Sequence, residues 1–438
     1  MTVAPAAPDD GWARLHPLTP LLRGGRFVLV VLAVAGQQGL RSAEPWVLLA
    51  VFGVGVPLAV FAGWISWRRM RYRLTATELQ VESGVLTTRS RRVPLARLQS
   101  VDVVRPLLAR LLGLAELRME VVGGGAGAEA PLSYLSEDDA EVLRARLLHL
   151  AAGREDTAQP VAEPPQRVLV VVPPGPLVWS TLLGAPAVTL AVFLVVVAVV
   201  ALVDLSLVPM LLLPALPMLF GAGSFAVRRI LTEYGFTVAE ASDGLRLQQG
   251  LLDKRSATIP PGRVQTVRVS QPLLWRPFDW VRVEVDVAGY GTSGGAEQQA
   301  TTGALLPVAP RELGERLAAR VLGGGLPPAD RRPPRAARLR APLSWRRLAL
   351  GLDDRHVVST YGIATTTLEI VPLAKVQSVR LSQGPLQRRL GLSSVHVDTA
   401  GRRLPGTVAV HRGADEGRAL LLDLAARARR ARSVPAPK

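Results

Sequence analysis

No cysteine occurs in the 438 residues, which excludes a disulfide framework, a thiol nucleophile and a thiolate metal site, and suits a reducing compartment. Aromatic residues are scarce, 5% against 49% hydrophobic residues in all. A purely soluble chain would not show that balance, so much of the apolar content must lie in continuous runs. The five histidines show no metal-ligand spacing, and His16, His149 and His411 stand in leader, helix and loop contexts with no carboxylate or serine arrangement around them. Acidic residues are outnumbered, 35 against 52 basic, for a formal charge of +17. Such a chain favours anionic surfaces, either nucleic acid or the anionic cytoplasmic leaflet.

Residues 1–20 are rich in Pro and Ala and carry Asp9 and Asp10, unlike the basic start of a cleaved signal peptide, so a disordered leader is expected there. Three uncharged stretches follow: Pro45 to Trp67, Leu177 to Leu202 and Leu205 to Val227, of 23, 26 and 23 residues. Each is long enough to cross a hydrocarbon core of about 30 Å. Phe27 to Leu40 is shorter and holds Gln37 and Gln38, which fits a re-entrant or tilted segment pairing with the next span. The expectation is two hairpins, 21–67 and 177–227. Arg68, Arg69, Arg71 and Arg73 leave the first, and Arg228 and Arg229 leave the second, so both exits are cytoplasmic by the positive-inside rule. Arg41, in the outer loop of the first hairpin, is the one contrary charge.

Compared with itself, the chain shows a threefold repeat. Val93-Pro94-Leu95-Ala96-Arg97-Leu98-Gln99-Ser100-Val101 matches Ile259-Pro260-Pro261-Gly262-Arg263-Val264-Gln265-Thr266-Val267, and both match Val371-Pro372-Leu373-Ala374-Lys375-Val376-Gln377-Ser378-Val379. Gly84, Gly250 and Gly362 precede the three prolines at one spacing. Three further strands align downstream, over Leu117 to Val122, Val283 to Ala288 and Val395 to Ala400. Their alternation has period two: Val283, Val285 and Val287 face one side, Arg282, Glu284 and Asp286 the other, as in a half-buried antiparallel strand. The glutamines Gln99, Gln265 and Gln377 share a face with apolar residues and are expected to point inward as structural groups. The prolines, lacking an N–H, suit a strand's first residue or an edge. Each repeat then closes on a helix: Ser136 caps one that buries Leu143, Leu147 and Leu150, Pro310 opens a second, and the third runs from about Asp415 to Arg432.

On these residues, together with Gln387 to Leu392, the chain resembles the YdbS/YdbT-type bacterial PH domain family (type 2), over Tyr72 to Leu150, Tyr234 to Leu322 and His356 to Arg430. The resemblance implies PH-like domains, each of two orthogonal antiparallel sheets capped by a C-terminal helix. The expected architecture is a multi-domain membrane protein with PH-like domains at 68–152, 228–325 and 346–432, a linker at 153–176 and a basic linker at 326–345. One departure stands out: Asp279 occupies the place of Gly113 and Gly391.

No residue pattern points to catalysis, to a cofactor or to a metal. Glu120, Asp286 and Asp398 stay acidic in all three repeats and are expected to pair with the repeated cations Arg97, Arg263 and Lys375 rather than to act as acids. Gly289 to Gly294 fits G-x-G-x-x-G, but no βαβ unit surrounds it, so it reads as an inter-strand loop. The membrane-facing basic candidates are Arg68, Arg69, Arg228, Arg229, Arg331, Arg332, Arg335 and Arg338, each contributing about 1 kcal/mol beside an anionic leaflet. Only Trp345 interleaves with the linker arginines, which argues against nucleic acid. The expectation is a plasma-membrane interaction platform with cytoplasmic domains and no enzymatic activity. Its partners are anionic lipid and a protein, for which the resemblance suggests a shorter single-domain relative, or self-association. The resemblance also implies envelope maintenance or resistance to membrane-active peptides. The rival classes are a transport or export component, against which the uncharged spans speak, and an anionic-lipid sensor.

Overall fold

In the computed structural model, the residues described are 11–19, scattered positions from 53 to 70, 71–83, 89–95, 98–121, 130–151, 167–241, 244–259, 262–287, 303–400 and 407–433. They form two compact units: 1–164 with 253–257, and 165–252 with 258–438.

The first unit holds a four-stranded sheet in order β1 (Ala13–Arg14), β2 (Arg71–Leu74), β3 (Glu78–Ser83), β4 (Arg89–Pro94). After it come β5 (Leu98–Arg105), the short helix α1 (Leu107–Leu111), β6 (Leu114–Val121), β7 (Ala130–Ser136) and α2 (Glu137–Ala151). Alternation puts Val101, Val103, Leu117 and Met119 into one core with Leu79 and Val93, and α2 covers it with Leu143, Leu147 and Leu150. The Ser136 Oγ accepts from the Asp139 N–H at 3.1 Å, the expected cap. Over its described part, 11–19, the leader departs from the expected disorder. Ala13–Arg14 pair with β2, Leu15 is 3% exposed within the core, and the Trp67 indole donates to the Leu15 carbonyl at 2.9 Å. Most of the first hairpin, 21–67, lies outside the described residues.

The second unit opens with β8 (Arg167–Val171), where a linker was expected; it pairs antiparallel with β9 (Thr237–Ala241). Between these two strands the chain makes α3 (Pro174–Leu182), α4 (Ala185–Val203) and α5 (Val208–Glu233). The single span expected from Leu177 to Leu202 is therefore divided. Gly184, in extended conformation, ends one helix and caps the next, and Pro186 follows it. The physical reason lies in α3, whose Leu177, Ser180 and Thr181 are buried and whose Ser180 carbonyl accepts from the Trp275 indole at 3.2 Å. That turn of apolar sequence belongs to a protein core. Among the described residues, α4 alone is by itself long and apolar enough to cross a membrane, with 19 residues. Its length is roughly 28 Å at the ordinary helical rise. The segment from Leu205 to Glu233 qualifies as a second only if its two parts, bent by 46°, count as one span. Pro214 and Pro217 inside α5 break its hydrogen-bond ladder.

Continuing along the chain are β10 (Gly244–Gln249), β11 (Lys254–Ile259), β12 (Val264–Pro272), β13 (Trp280–Val287), β14 (Ala304–Pro310) and the closing helix α6 (Arg311–Val321). Of β11, residues Asp253–Ala257 group with the first unit, where Lys254, Arg255 and Ser256 pair with Arg105, Val104 and Val103 of β5. The third repeat adds α7 (Ala337–Arg340), β15 (Ala349–Leu352), β16 (His356–Tyr361), β17 (Thr365–Pro372), β18 (Val376–Ser382), α8 (Pro385–Arg389), β19 (Leu392–Thr399), β20 (Thr407–Gly413) and α9 (Ala414–Ser433). One six-stranded sheet, in order β14-β13-β12-β17-β16-β15, joins the second and third repeats through β12 and β17. Their core is continuous across that seam, where Val358 and Ile370 pack with Val267 and Val269. The expected basic linker is also structured. Arg331 bridges Leu350, Ala337 is fully buried, and the Trp345 indole donates to the Pro334 carbonyl at 3.2 Å.

The turn at Asp279 keeps the geometry of its glycine counterparts. Gly113, Asp279 and Gly391 have φ of +67°, +51° and +62°, and Asp is among the few non-glycine residues that adopt this region.

Candidate functional sites: the repeated motif and a basic pocket

The motif encodes a β-bulge. Leu98 and Ser100 pair with Val121 and Glu120, Val264 and Thr266 with Val287 and Asp286, and Val376 and Ser378 with Thr399 and Asp398. In each repeat the glutamine between, Gln99, Gln265 or Gln377, is the extra residue that twists the strand. Gln265 is buried and its Nε2 donates to the Arg263 carbonyl at 3.2 Å, as an inward structural amide should. Gln377 departs from that expectation and is exposed, because β18 ends its sheet. The side chain of Gln99 lies outside the described residues, as do Arg97 and Pro260. Pro94 and Pro372 are the last residues of β4 and β17 rather than the first of a strand, and of the two Pro94 lies on an edge strand, the other expected place. Arg263 is exposed and Lys375 half-buried in the turn before β18.

The retained acids face the serine or threonine that follows each glutamine. Asp398 accepts two hydrogen bonds from the Arg380 guanidinium, at 2.7 and 2.8 Å, and one from Ser378. Those bonds, Arg380 first, hold its carboxyl below the usual carboxylate range. The partner is thus Arg380 rather than Lys375, because Ser378 and Arg380 project from the same side of β18 as the opposed Asp398. In the seam between β12 and β17, Arg268 stands 3.9 Å from Glu369, which is 1% exposed and accepts from the Tyr361 hydroxyl at 2.9 Å. Burial, with the negative charge of Asp286 adding to it, raises the Glu369 carboxyl above the usual range, although Arg268 opposes the shift.

The basic candidates separate into two groups. Arg68, Arg69, Arg228, Arg331, Arg332, Arg335 and Arg338 are exposed, with the Arg68 guanidinium 5.4 Å from the Trp64 ring centroid. Arg229 is not a surface cation. It lies over the Trp275 ring at 5.6 Å and donates to Glu233 at 3.0 Å, while Arg282 holds the other Glu233 oxygen at 2.8 Å.

The structure also assembles a pocket that the motif did not foretell. A cavity of about 370 Å³ is lined by Arg276, Arg332, Arg346 and Arg347, with Thr360 and Thr366 and no acidic residue. Arg276 donates to the Thr366 hydroxyl at 2.9 Å and to the Ile363 carbonyl at 3.0 Å, a carbonyl that Arg347 also reaches. Partial burial, then the neighbouring Arg347 and Arg311 charges, lower the Arg276 guanidinium from its usual range. Four guanidinium groups with hydroxyls beside them suit an oxyanion such as a phosphate. Arg276 comes from the second repeat and the others from beside the third, so no local run of sequence announces the set. Among the described residues, no three His, Asp or Glu side chains are grouped to hold a metal.

Antiparallel sheets that recur with one motif, one bulge and one closing helix define a tandem array of PH-like modules, carried by a chain with apolar helices. The bacterial PH domain family model matches three times, over 27–151, 182–325 and 308–428, and the chain belongs to that family. The UPF0699 transmembrane protein YdbT of Bacillus subtilis (strain 168) is 24% identical over 270 residues, 53% of this chain and 52% of that relative. The chain thus spans about half the length of the curated relative it matches. No solved structure matches.

Proposed function

We propose that the protein is a membrane-anchored interaction platform without catalytic activity. A hairpin over 21–67 and one made of α4 and α5 hold PH-like domains, at 68–152, 228–325 and 346–432, against the inner leaflet of the bacterial plasma membrane. One observation carries the reading. Along α4 only Val197 is buried, while Leu202 and Val203, like Phe220 on α5, stand fully exposed, an apolar surface that lipid would cover. The transmembrane relative supports the same reading.

The platform also engages anionic head groups, a second reading that the four-arginine pocket favours. Purified full-length chain in detergent should gain thermal stability when phosphatidylglycerol is added, and Arg346→Glu with Arg347→Glu should abolish the gain. An equal gain with a zwitterionic lipid would remove the head-group reading. The anchoring itself is read separately. The chain has no cysteine of its own, so Ser206→Cys should react with an impermeant thiol reagent in intact cells. Leu422→Cys, exposed on α9, should react only after permeabilisation. Labelling of Leu422→Cys from outside would overturn the cytoplasmic assignment.

A further inference from the structure

One strand pairing is made twice within the chain, in one register. In the first unit Val103 faces Ser256 and Val104 faces Arg255; in the second unit Val269 faces Leu368 and Ser270 faces Thr367. Counted from Gln99 and Gln265 on one strand, and from Pro260 and Pro372 on the other, these are the same positions. The rule is that the bulged strand of one repeat takes, along its outer edge, the strand that leads into the motif of the next.

β18 is the bulged strand of the last repeat. It ends the sheet β18-β19-β20, and no strand pairs with its outer edge among the described residues. Gln377, Ser378, Arg380 and Ser382 are exposed there, whereas Gln265 and Thr266 of β12 are buried. By the shared register Arg380 takes the place of Arg268, whose cross-seam neighbour is Glu369. An incoming strand with an acid in that place would complete the arrangement, as Glu369 does inside the chain. A second copy of this chain would offer β4, which ends its own sheet but puts the exposed Arg91 opposite Arg380, with Arg92 beside it. Like charges directly opposed disfavour a pair, and charge along an edge is a common guard against further pairing.

We infer that the outer edge of β18, Val376–Ser382, docks the motif-leading strand of a PH-like module in a different polypeptide, one with an acidic residue where Glu369 stands. The inference deepens the platform reading and rests on it, and it states where a partner binds and in what register. The edge supplies backbone hydrogen bonds, and Arg380 supplies selectivity.

The probe is a synthetic peptide of the β17 sequence Thr365–Pro372, carrying Thr367→Cys as an activated disulfide. Offered to full-length chain in detergent, it should be captured by Ser382→Cys roughly tenfold faster than a peptide activated at the Leu368 position, the fold expected from about 1.4 kcal/mol. The same peptide with Glu369→Arg, and a β4 peptide activated at Arg89, should both be slow. An added Arg380→Glu in the chain should reverse the preference between the Glu369 and Glu369→Arg peptides. Because Ser382 is exposed, the chain's unfolding midpoint should be unchanged by Ser382→Cys. Equal capture of in-register and shifted peptides overturns the docking edge. Capture of the β4 peptide as fast as the β17 peptide overturns the different-polypeptide assignment in favour of a second copy. Neither result touches membrane anchoring, which the thiol labelling reads independently.

Discussion

β12 and β18 carry nearly the same residues, Val-Gln-Thr-Val-Arg-Val-Ser and Val-Gln-Ser-Val-Arg-Leu-Ser, and meet different fates. β12 is flanked by β13 and β17 and is almost wholly buried; among the described residues β18 is flanked by β19 alone, and after the buried Val376 it is exposed or half-buried. One motif therefore specifies the bulge, the pleat and the face turned to the core, while burial of its polar half depends on what lies alongside. An arginine that sits in a closed charge cluster at one site is a bidentate surface partner at the other.

The most damaging way to break the comparison is an acid in the covered strand. Val267 is fully buried and paired on both sides, so Val267→Asp should cost about 4 kcal/mol or more. Val379→Asp, on the open strand, should cost markedly less, with calorimetric unfolding in detergent as the measurement. The hairpin that presents β17 to the seam comes next. Gly362 has φ of +103°, and a Cβ there would lie 1.9 Å from the Thr365 carbonyl oxygen. Gly362→Ala should therefore cost about 2–3 kcal/mol, against about 1 kcal/mol at Gly391, whose positive φ has open space around it. Smaller still is the bulge residue itself: Gln265→Ala should cost about 1 kcal/mol, and Gln377→Ala should leave the midpoint in place.

The finest test is electrostatic. The Glu369 carboxyl has a raised pKa in the folded chain, so its contribution to stability is present below the unfolded value and is lost as pH rises through the folded one. Glu369→Gln keeps an acceptor for Tyr361 and removes the buried charge, so it should raise the midpoint by a few degrees near neutral pH. That gain should shrink on acidification. A midpoint lowered at every pH would show instead that the charge pair with Arg268 dominates the seam.

Much of this was legible in the sequence. The period-two alternation marked β13 and its counterparts, and Gly250 and Gly362, which stand at one spacing before their prolines, both adopt positive φ. The closing helices and the Ser136 cap follow from short-range signals alone. What escaped was decided by distant neighbours. Nothing local distinguishes Gln377 from Gln265, since the presence of β17 beside one and of no strand beside the other is a matter of assembly. Leu177 to Leu183 reads as membrane because it is apolar and uncharged, and only the Trp275 indole, far along the chain, shows that it is core. Arg276 carries no sign of belonging with Arg346 and Arg347. The five arginines from Arg331 to Arg340 suggested a bare linker, whereas the alanines and prolines between them let that segment lie along the third repeat.

The pairing of β8 with β9 bears on how the membrane and the folded modules are mechanically coupled. These two strands bracket the helical hairpin in sequence, so both of its roots are stitched into one sheet, and the Arg229–Glu233–Arg282 clasp ties the returning helix to that same module. A linker would act as a swivel, whereas this joint acts as a bracket. On the proposed anchoring, bending or rotation of α4 and α5 in the bilayer would pass to the second repeat as torque, and through the β12–β17 seam to the third.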